Sequence, residues 1–128
     1  MAAGALAVVL AFGAAAVVRP DARGYGTHER FSLRPCTFRL VFGRPCPTCG
    51  MTTAWSHLVR GRLGDALRAN IGGTMLALGA MVAAPWLAVS AIRGHWWPLR
   101  PRSEWVGTAA IFVGGITLVQ WVVRLVTG

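Results

Sequence analysis

Three long stretches without a charged residue constrain the fold of this chain more than any other feature. They run over residues 2–18, 71–92 and 105–123. As helices rising about 1.5 Å per residue, they would extend roughly 25, 33 and 28 Å, and the hydrocarbon core of a bilayer is about 30 Å thick. The pattern therefore predicts an all-α membrane protein with three transmembrane helices in a single membrane domain.

The first stretch, residues 2–18, has a second interpretation as a cleaved signal peptide, because it is the shortest and is rich in alanine. A signal peptide usually carries a positively charged region before its apolar part, and none is present here. The run Ala14-Ala15-Ala16 lies inside the apolar stretch rather than before a clear mature domain. We therefore interpret this stretch as a retained span.

The chain has a net charge of +9 and contains no lysine, so arginine supplies its positive charge. The arginines cluster where the predicted helices leave the membrane, and they form no soluble basic domain interleaved with aromatic residues. This distribution is typical of topology signals and of contacts with lipid phosphates. We expect the lipid bilayer as a partner and no nucleic acid, with a homo-oligomer or another membrane protein as a further possible partner.

The distribution of arginines also predicts the orientation. Nine lie between the first and second spans, three between the second and third, and one follows the third. With three spans, the long loop of residues 19–70 and the C-terminal end share one side, which is predicted to be cytoplasmic in a multi-pass protein of the plasma (inner) membrane. Because that compartment is reducing, a permanent structural disulfide is not expected.

The long loop carries the only dense group of reactive side chains. Cys36, Cys46, Cys49 and His57 follow the spacing Cys-x9-Cys-x2-Cys-x7-His. Three thiolates and one imidazole satisfy tetrahedral zinc, and Cys-x2-Cys is the usual half-site. The sequence therefore predicts a zinc-stabilised turn with these four residues as ligands, although a second Cys-x2-Cys turn is missing.

Two other interpretations of the cysteines remain open. Cys46 and Cys49 precede a predicted helix, whose N-terminus would lower the pKa of a thiol, and this arrangement favours a dithiol that cycles by redox chemistry. However, the strand–helix alternation of the soluble proteins that use such a dithiol is not visible. Alternatively, the cysteines only pack as small apolar residues.

The residues around the cysteines predict the local structure. Pro47 disfavours a helix at the turn, and Gly50 can adopt the positive φ that lets the sulfurs converge. Thr52 or Thr53 is expected to cap the next helix, which is amphipathic from Trp55 onward and lies in the membrane interface. A turn near Gly61 divides this segment into two short helices, and Asn70 caps the second span. We assign no chemical role to His28 or His95.

The segment from Cys36 through Cys-Pro-Thr-Cys-Gly-Met-Thr-Thr-Ala to Arg-Gly-x-Leu-x-x-Ala-x-x-x-Asn resembles the bacterial domain of unknown function 2752 family of small integral membrane proteins. The resemblance covers about Pro35 to Ile92. It implies that the motif positions are Cys36, Cys46, Pro47, Cys49, Gly50, Thr52, Gly61, Ala66 and Asn70. His57 is not part of that motif, and Thr53 stands where many members carry arginine. The resemblance implies no established activity.

Together these features predict a small integral membrane protein that is not an enzyme, with a zinc-stabilised cysteine turn at the membrane surface. A membrane thiol redox protein or sensor that uses Cys46 and Cys49 is the alternative. An accessory subunit of a transporter is a weaker one, because Gln120 is the only strongly polar side chain in the predicted spans. The sequence indicates no physiological process.

Overall fold

The computed structural model describes residues 2–127, and over that range the chain is helical without a strand. This confirms the all-α prediction. A 3-10 helix (Thr27–Phe31) lies between the first two α-helices. The α-helices are α1 (Ala2–Val17), α2 (Thr37–Phe42), α3 (Met51–Leu58), α4 (Leu63–Ala69), α5 (Ile71–Arg93) and α6 (Ser103–Thr127).

Helices α5 and α6 are long and apolar enough to cross a membrane, and their bounds extend slightly beyond the predicted second and third spans. Most of their large apolar side chains are exposed, including Val82, Ile92 and Ile111. Lipid rather than protein would cover such surfaces in a membrane protein. Helix α1, at 16 residues, is apolar but shorter.

The three long helices lie side by side, and α1 and α6 each run antiparallel to α5, which lies between them. The N-terminal end of α1 meets the C-terminal half of α5, where an added Cβ at Gly4 would lie 3.6 Å from Leu87 Cδ1. At the opposite end of α5, Gly72 packs directly against the Thr117 side chain of α6. Small residues allow this close helix contact, as they do in membrane bundles generally.

Helices α3 and α4 form the predicted pair of short helices. Gly61, with φ of 72°, turns the chain between them. Ala54, Ala66 and Ala69 are buried where the two helices meet, and Leu58 packs against them. Because these side chains are small, the helix pair packs closely and its larger apolar residues remain at the periphery.

The start of α3 differs from the prediction that Thr52 or Thr53 caps it. The helix begins at Met51, and its N-cap is Gly50, which has a φ of 94° and makes no side-chain cap. Thr53 is fully buried instead, and its hydroxyl lies 2.7 Å from that of Thr27 in the 3-10 helix. The threonine hydroxyl therefore joins two segments of the loop rather than capping a helix.

Polar side chains attach the ends of α1 and α6 to the loop. Arg60 donates to the carbonyls of Ala15 and Ala16 at 3.1 and 2.9 Å, and so satisfies the C-terminal end of α1. Gln120 accepts from the Ile71 amide at 2.7 Å and donates to the Leu67 carbonyl at 3.2 Å. Since helix ends have unpaired backbone groups, these contacts fix the loop region at one end of the bundle.

Candidate metal centre

The structure brings the three cysteines together at that end of the bundle. Their sulfur atoms all lie within 4.8 Å of one another, although Cys36 is ten residues before Cys46 in the sequence. Cys36 is the N-cap residue of α2, while Cys46 and Cys49 belong to the turn before α3. Cys49 is buried and the other two are half-buried. The thiols line a cavity of about 300 Å³.

Backbone hydrogen bonds shape the turn that carries Cys46 and Cys49. The Cys49 amide donates to the Cys46 carbonyl at 3.1 Å, and the Met51 amide donates to the Thr48 carbonyl at 3.2 Å. This brings the sulfur atoms of Cys46 and Cys49 to 2.9 Å, and Thr48 Oγ1 lies 3.2 Å from Cys46 Sγ. The turn therefore presents two sulfurs on the same side.

The two thiols of the turn differ in their tendency to ionise. Burial raises the pKa of Cys49, and its hydrogen bond with Cys46 acts in the same direction. Partial burial opposes ionisation of Cys46 as well, but hydrogen bonds with Cys49, Thr48 and Cys36 outweigh it and hold the pKa of Cys46 below its usual value. A thiolate at Cys46 is thus stabilised by its neighbours, and thiolates are the form that binds metals and attacks disulfides.

Asn70 attaches the cysteine turn to the first residues of α5. Its Oδ1 accepts from the Gly73 amide at 2.7 Å, which confirms the predicted cap. Its Nδ2 donates to the carbonyls of Pro47 and Cys49 at 3.2 and 3.3 Å. The side chain is 1% exposed, so these bonds are shielded from water. One amide therefore both caps a candidate membrane helix and positions the thiol-bearing backbone.

Gly50 allows the turn to approach α4 closely. Its φ of 94° lies in the left-handed region, where glycine has no Cβ to clash. An added Cβ would collide with the Ala69 carbonyl oxygen and would lie 2.9 Å from that of Gly24. Both atoms belong to backbone that neighbouring segments hold in place. The position therefore requires glycine for space as well as for conformation.

His57, the predicted fourth ligand, lies in a different cavity from the three cysteines. It lines a second cavity with Asp21, Arg62 and Asp65, and its Nδ1 is buried without a hydrogen-bond partner. Burial lowers its pKa and so favours the neutral ring. Within residues 2–127, the group of close ligand atoms contains the three cysteines and not His57. Because α3 already begins at Met51, it carries His57 about 9 Å along its axis, away from the turn.

Two other predicted motif residues, Pro47 and Thr52, lie at the cysteine turn. The Pro47 carbonyl accepts from Asn70, and Thr52 lines the thiol cavity. Gly61 is more distant and acts only in the turn between α3 and α4.

Sequence reasoning did not identify several residues that contact the site from far along the chain. His28 lines the thiol cavity, and Trp121 Nε1 donates to the Pro45 carbonyl at 2.8 Å. Arg124 donates to the carbonyls of Arg68 and Ala69 at 2.5 and 2.6 Å, next to the turn. Spacing along the chain cannot predict such contacts. One sequence signal pointed toward such a contact, namely that Arg124 is a charged residue near the end of an apolar helix.

Comparison with known proteins gives one match. The model of the family described as "protein of unknown function (DUF2752)" matches residues 36–84. No curated protein and no solved structure matches the chain. The matched segment begins at Cys36 and includes the other two cysteines, Asn70 and the first part of α5. Over its cysteine turn and the first part of the helix that follows, the chain is therefore similar to the DUF2752 family.

Proposed function

We propose that this is a small integral membrane protein, without enzymatic activity, whose cysteine turn holds a zinc ion at the membrane surface. Cys36, Cys46 and Cys49 supply three of the ligands. The observation that carries the proposal is the convergence of their sulfur atoms to within 4.8 Å of one another. Cysteines that only pack as apolar residues have no reason to place three sulfurs around one point.

The separations fit a tetrahedral thiolate site. With a zinc–sulfur distance of about 2.3 Å, tetrahedral geometry places neighbouring sulfurs about 3.8 Å apart. The Cys46–Cys49 separation of 2.9 Å is shorter, and rotation of one thiol widens it to the required value. Thiolate sulfur is a soft ligand that selects zinc over calcium or magnesium. In this proposal, the positive charge of the metal also offsets the repulsion among the three thiolates.

The metal would stabilise the loop rather than catalyse a reaction. Cys36 lies at the start of α2 and the other ligands lie before α3, so a shared metal would join two segments that no disulfide links. Asn70 connects the same turn to α5. We infer that metal binding fixes the loop against the membrane helices, as structural zinc sites do in other small domains.

We propose that α1 is a third membrane span and that the cysteine loop faces the cytoplasm. At 16 residues α1 would extend about 24 Å, which a locally thinned bilayer accommodates. Its antiparallel packing on α5 and the excess of arginine in the loop support this placement. A reporter that is active only in the cytoplasm should be active when fused to the C-terminal end and inactive at the N-terminal end. Activity at both ends would contradict three spans, and the reverse pattern would place the loop outside.

Elemental analysis of the purified full-length protein tests the zinc site. We expect about one zinc per chain or per dimer, and loss of that zinc in Cys49→Ala. Cys36→Ala provides a second ligand variant at a half-buried position, where a packing defect is smaller. The matched control is His57→Ala, which should retain zinc because His57 lies in the other cavity. Wild-type protein without metal above background, or ligand variants that keep a full complement of zinc, would contradict the proposal.

A second candidate function, thiol redox chemistry, is favoured by the 2.9 Å separation of Cys46 and Cys49 and by the opposite shifts of their pKa values. One thiol that ionises readily beside a buried thiol that does not is typical of a reactive dithiol pair. Thiol trapping in cells tests this candidate. If the pair is redox-active, the wild-type protein would be free of metal, and the trapping would detect a Cys46–Cys49 disulfide that a reductant reverses.

A further inference from the structure

We propose that His28 is the fourth ligand of the metal centre, an inference that rests on the zinc site proposed above. The three sulfurs leave one position of a tetrahedral zinc to be filled. The thiol cavity is lined by the cysteines, by His28, and otherwise by glycine and threonine residues. A neutral imidazole is a common zinc ligand, whereas a threonine hydroxyl is a poor one at neutral pH.

The residues directly before and after His28, which are Thr27 and Glu29, hold it at this cavity. On one side, the Thr27 hydroxyl lies 2.7 Å from that of Thr53, and both residues are fully buried. The Thr27 hydroxyl also accepts from the Asp21 amide at 3.0 Å. On the other side, Glu29 forms an ion pair with Arg23 at 3.2 Å. The backbone of the 3-10 helix is therefore fixed against α3, and only the side chain of His28 needs to move.

The required movement is a rotation of the imidazole. Its nitrogens lie outside the group of ligand atoms that are within 4.8 Å of one another, while the ring borders the same cavity of about 300 Å³. His28 is half-buried, so it has space to change rotamer toward the sulfurs. Coordination would then tie the 3-10 helix to α2 and to the turn before α3.

His57 does not compete for this role. Its cavity is lined by residues 20–24, by Arg62 and by three residues of α4, and no cysteine lines it. The two histidines therefore form a matched pair: each lies in a cavity of the same loop region, and only one of the cavities contains thiols. A variant of each separates a ligand from a histidine that contributes to folding.

The test is cobalt(II) binding to the full-length protein in detergent, with His28→Ala, His28→Cys and His57→Ala. Thiolate-to-cobalt charge transfer reports the cysteines, and the visible d–d bands report the fourth ligand. We expect His28→Ala to keep the charge transfer, to shift the d–d bands and to weaken cobalt binding by at least about tenfold. His28→Cys should restore tight binding and strengthen the charge transfer. His57→Ala should resemble the wild type.

The two proposals fail in different ways. If His28→Ala has the spectrum and affinity of the wild type, the assignment of His28 is overturned while the thiolate site stands. If the wild type shows no charge transfer, the zinc site itself is wrong, and His28 loses its role with it. If His28→Ala does not fold, His28→Cys decides: without added sulfur charge transfer in the folded variant, position 28 does not reach the metal.

Discussion

Replacing Gly50 by alanine is expected to lower the free energy of unfolding by about 3 kcal/mol or more. The left-handed φ of 94° costs a residue with a Cβ about 1 kcal/mol. The remaining loss comes from the collision of the new Cβ with the carbonyl oxygens of Ala69 and Gly24. To relieve it, the turn must move away from α4, which also displaces Cys49. We therefore expect reduced zinc content together with a lower thermal unfolding midpoint in detergent.

Gly61→Ala is the matched control for this substitution. Gly61 has a φ of 72°, so alanine meets a similar backbone cost, but no heavy atom lies within 4 Å of the added Cβ. The difference between the two variants isolates the close approach of the turn to α4. The explanation is wrong if Gly50→Ala is destabilised no more than Gly61→Ala and retains its zinc.

Local sequence patterns predicted the elements whose geometry depends on a few neighbouring residues. The cap by Asn70 and the turn at Gly61 are of this kind, because cap and turn preferences follow from residue type and the next few positions. The long apolar helices α5 and α6 were also predicted, since composition alone identifies them. The start of α3 was misplaced because the glycine before Met51 provides no side-chain signal for a cap.

The residues proposed as metal ligands show which contacts local sequence patterns do not predict. The spacing of Cys46 and Cys49 implies proximity, and the convergence of Cys36 matches the expectation from spacing and family resemblance. His57 was chosen because it follows the turn closely in sequence, but a rigid helix lies between and carries it away. His28 lies 18 residues before Cys46, and it reaches the cavity only because Thr27 packs on Thr53. Tertiary packing determines that contact.

The contacts made by α6 also depend on tertiary packing, so the sequence did not predict them. The indole of Trp121 donates to the carbonyl of Pro45, 76 residues away along the chain. Gln120 was noted only as a polar residue in a span, and it pairs with the backbone where α4 meets α5. The end of the last helix therefore supports the loop that contains the cysteines.

Replacing Asn70 by alanine is expected to affect both the helix bundle and the metal site. The variant loses the cap of α5, which is worth about 1 kcal/mol. It also leaves the buried carbonyl of Cys49 and the partly buried carbonyl of Pro47 without their donor, at about 1–3 kcal/mol. Because groups that orient metal ligands typically change affinity by about 10–100-fold, we expect a loss of zinc affinity in that range. Competition with a chromophoric chelator measures the affinity, and thermal unfolding in detergent measures the stability.

Asn70→Asp separates the two roles of this side chain. A carboxylate still accepts from the Gly73 amide and favours the helix N-terminus, but it cannot donate to the carbonyls of the cysteine turn and repels them. If Asn70 positions the turn, the aspartate variant should lose zinc affinity nearly as far as the alanine variant. Its cap would be intact, so loss of the cap could not explain the effect. Wild-type zinc affinity in Asn70→Asp would mean that the side chain only caps α5 and that the turn holds its own geometry.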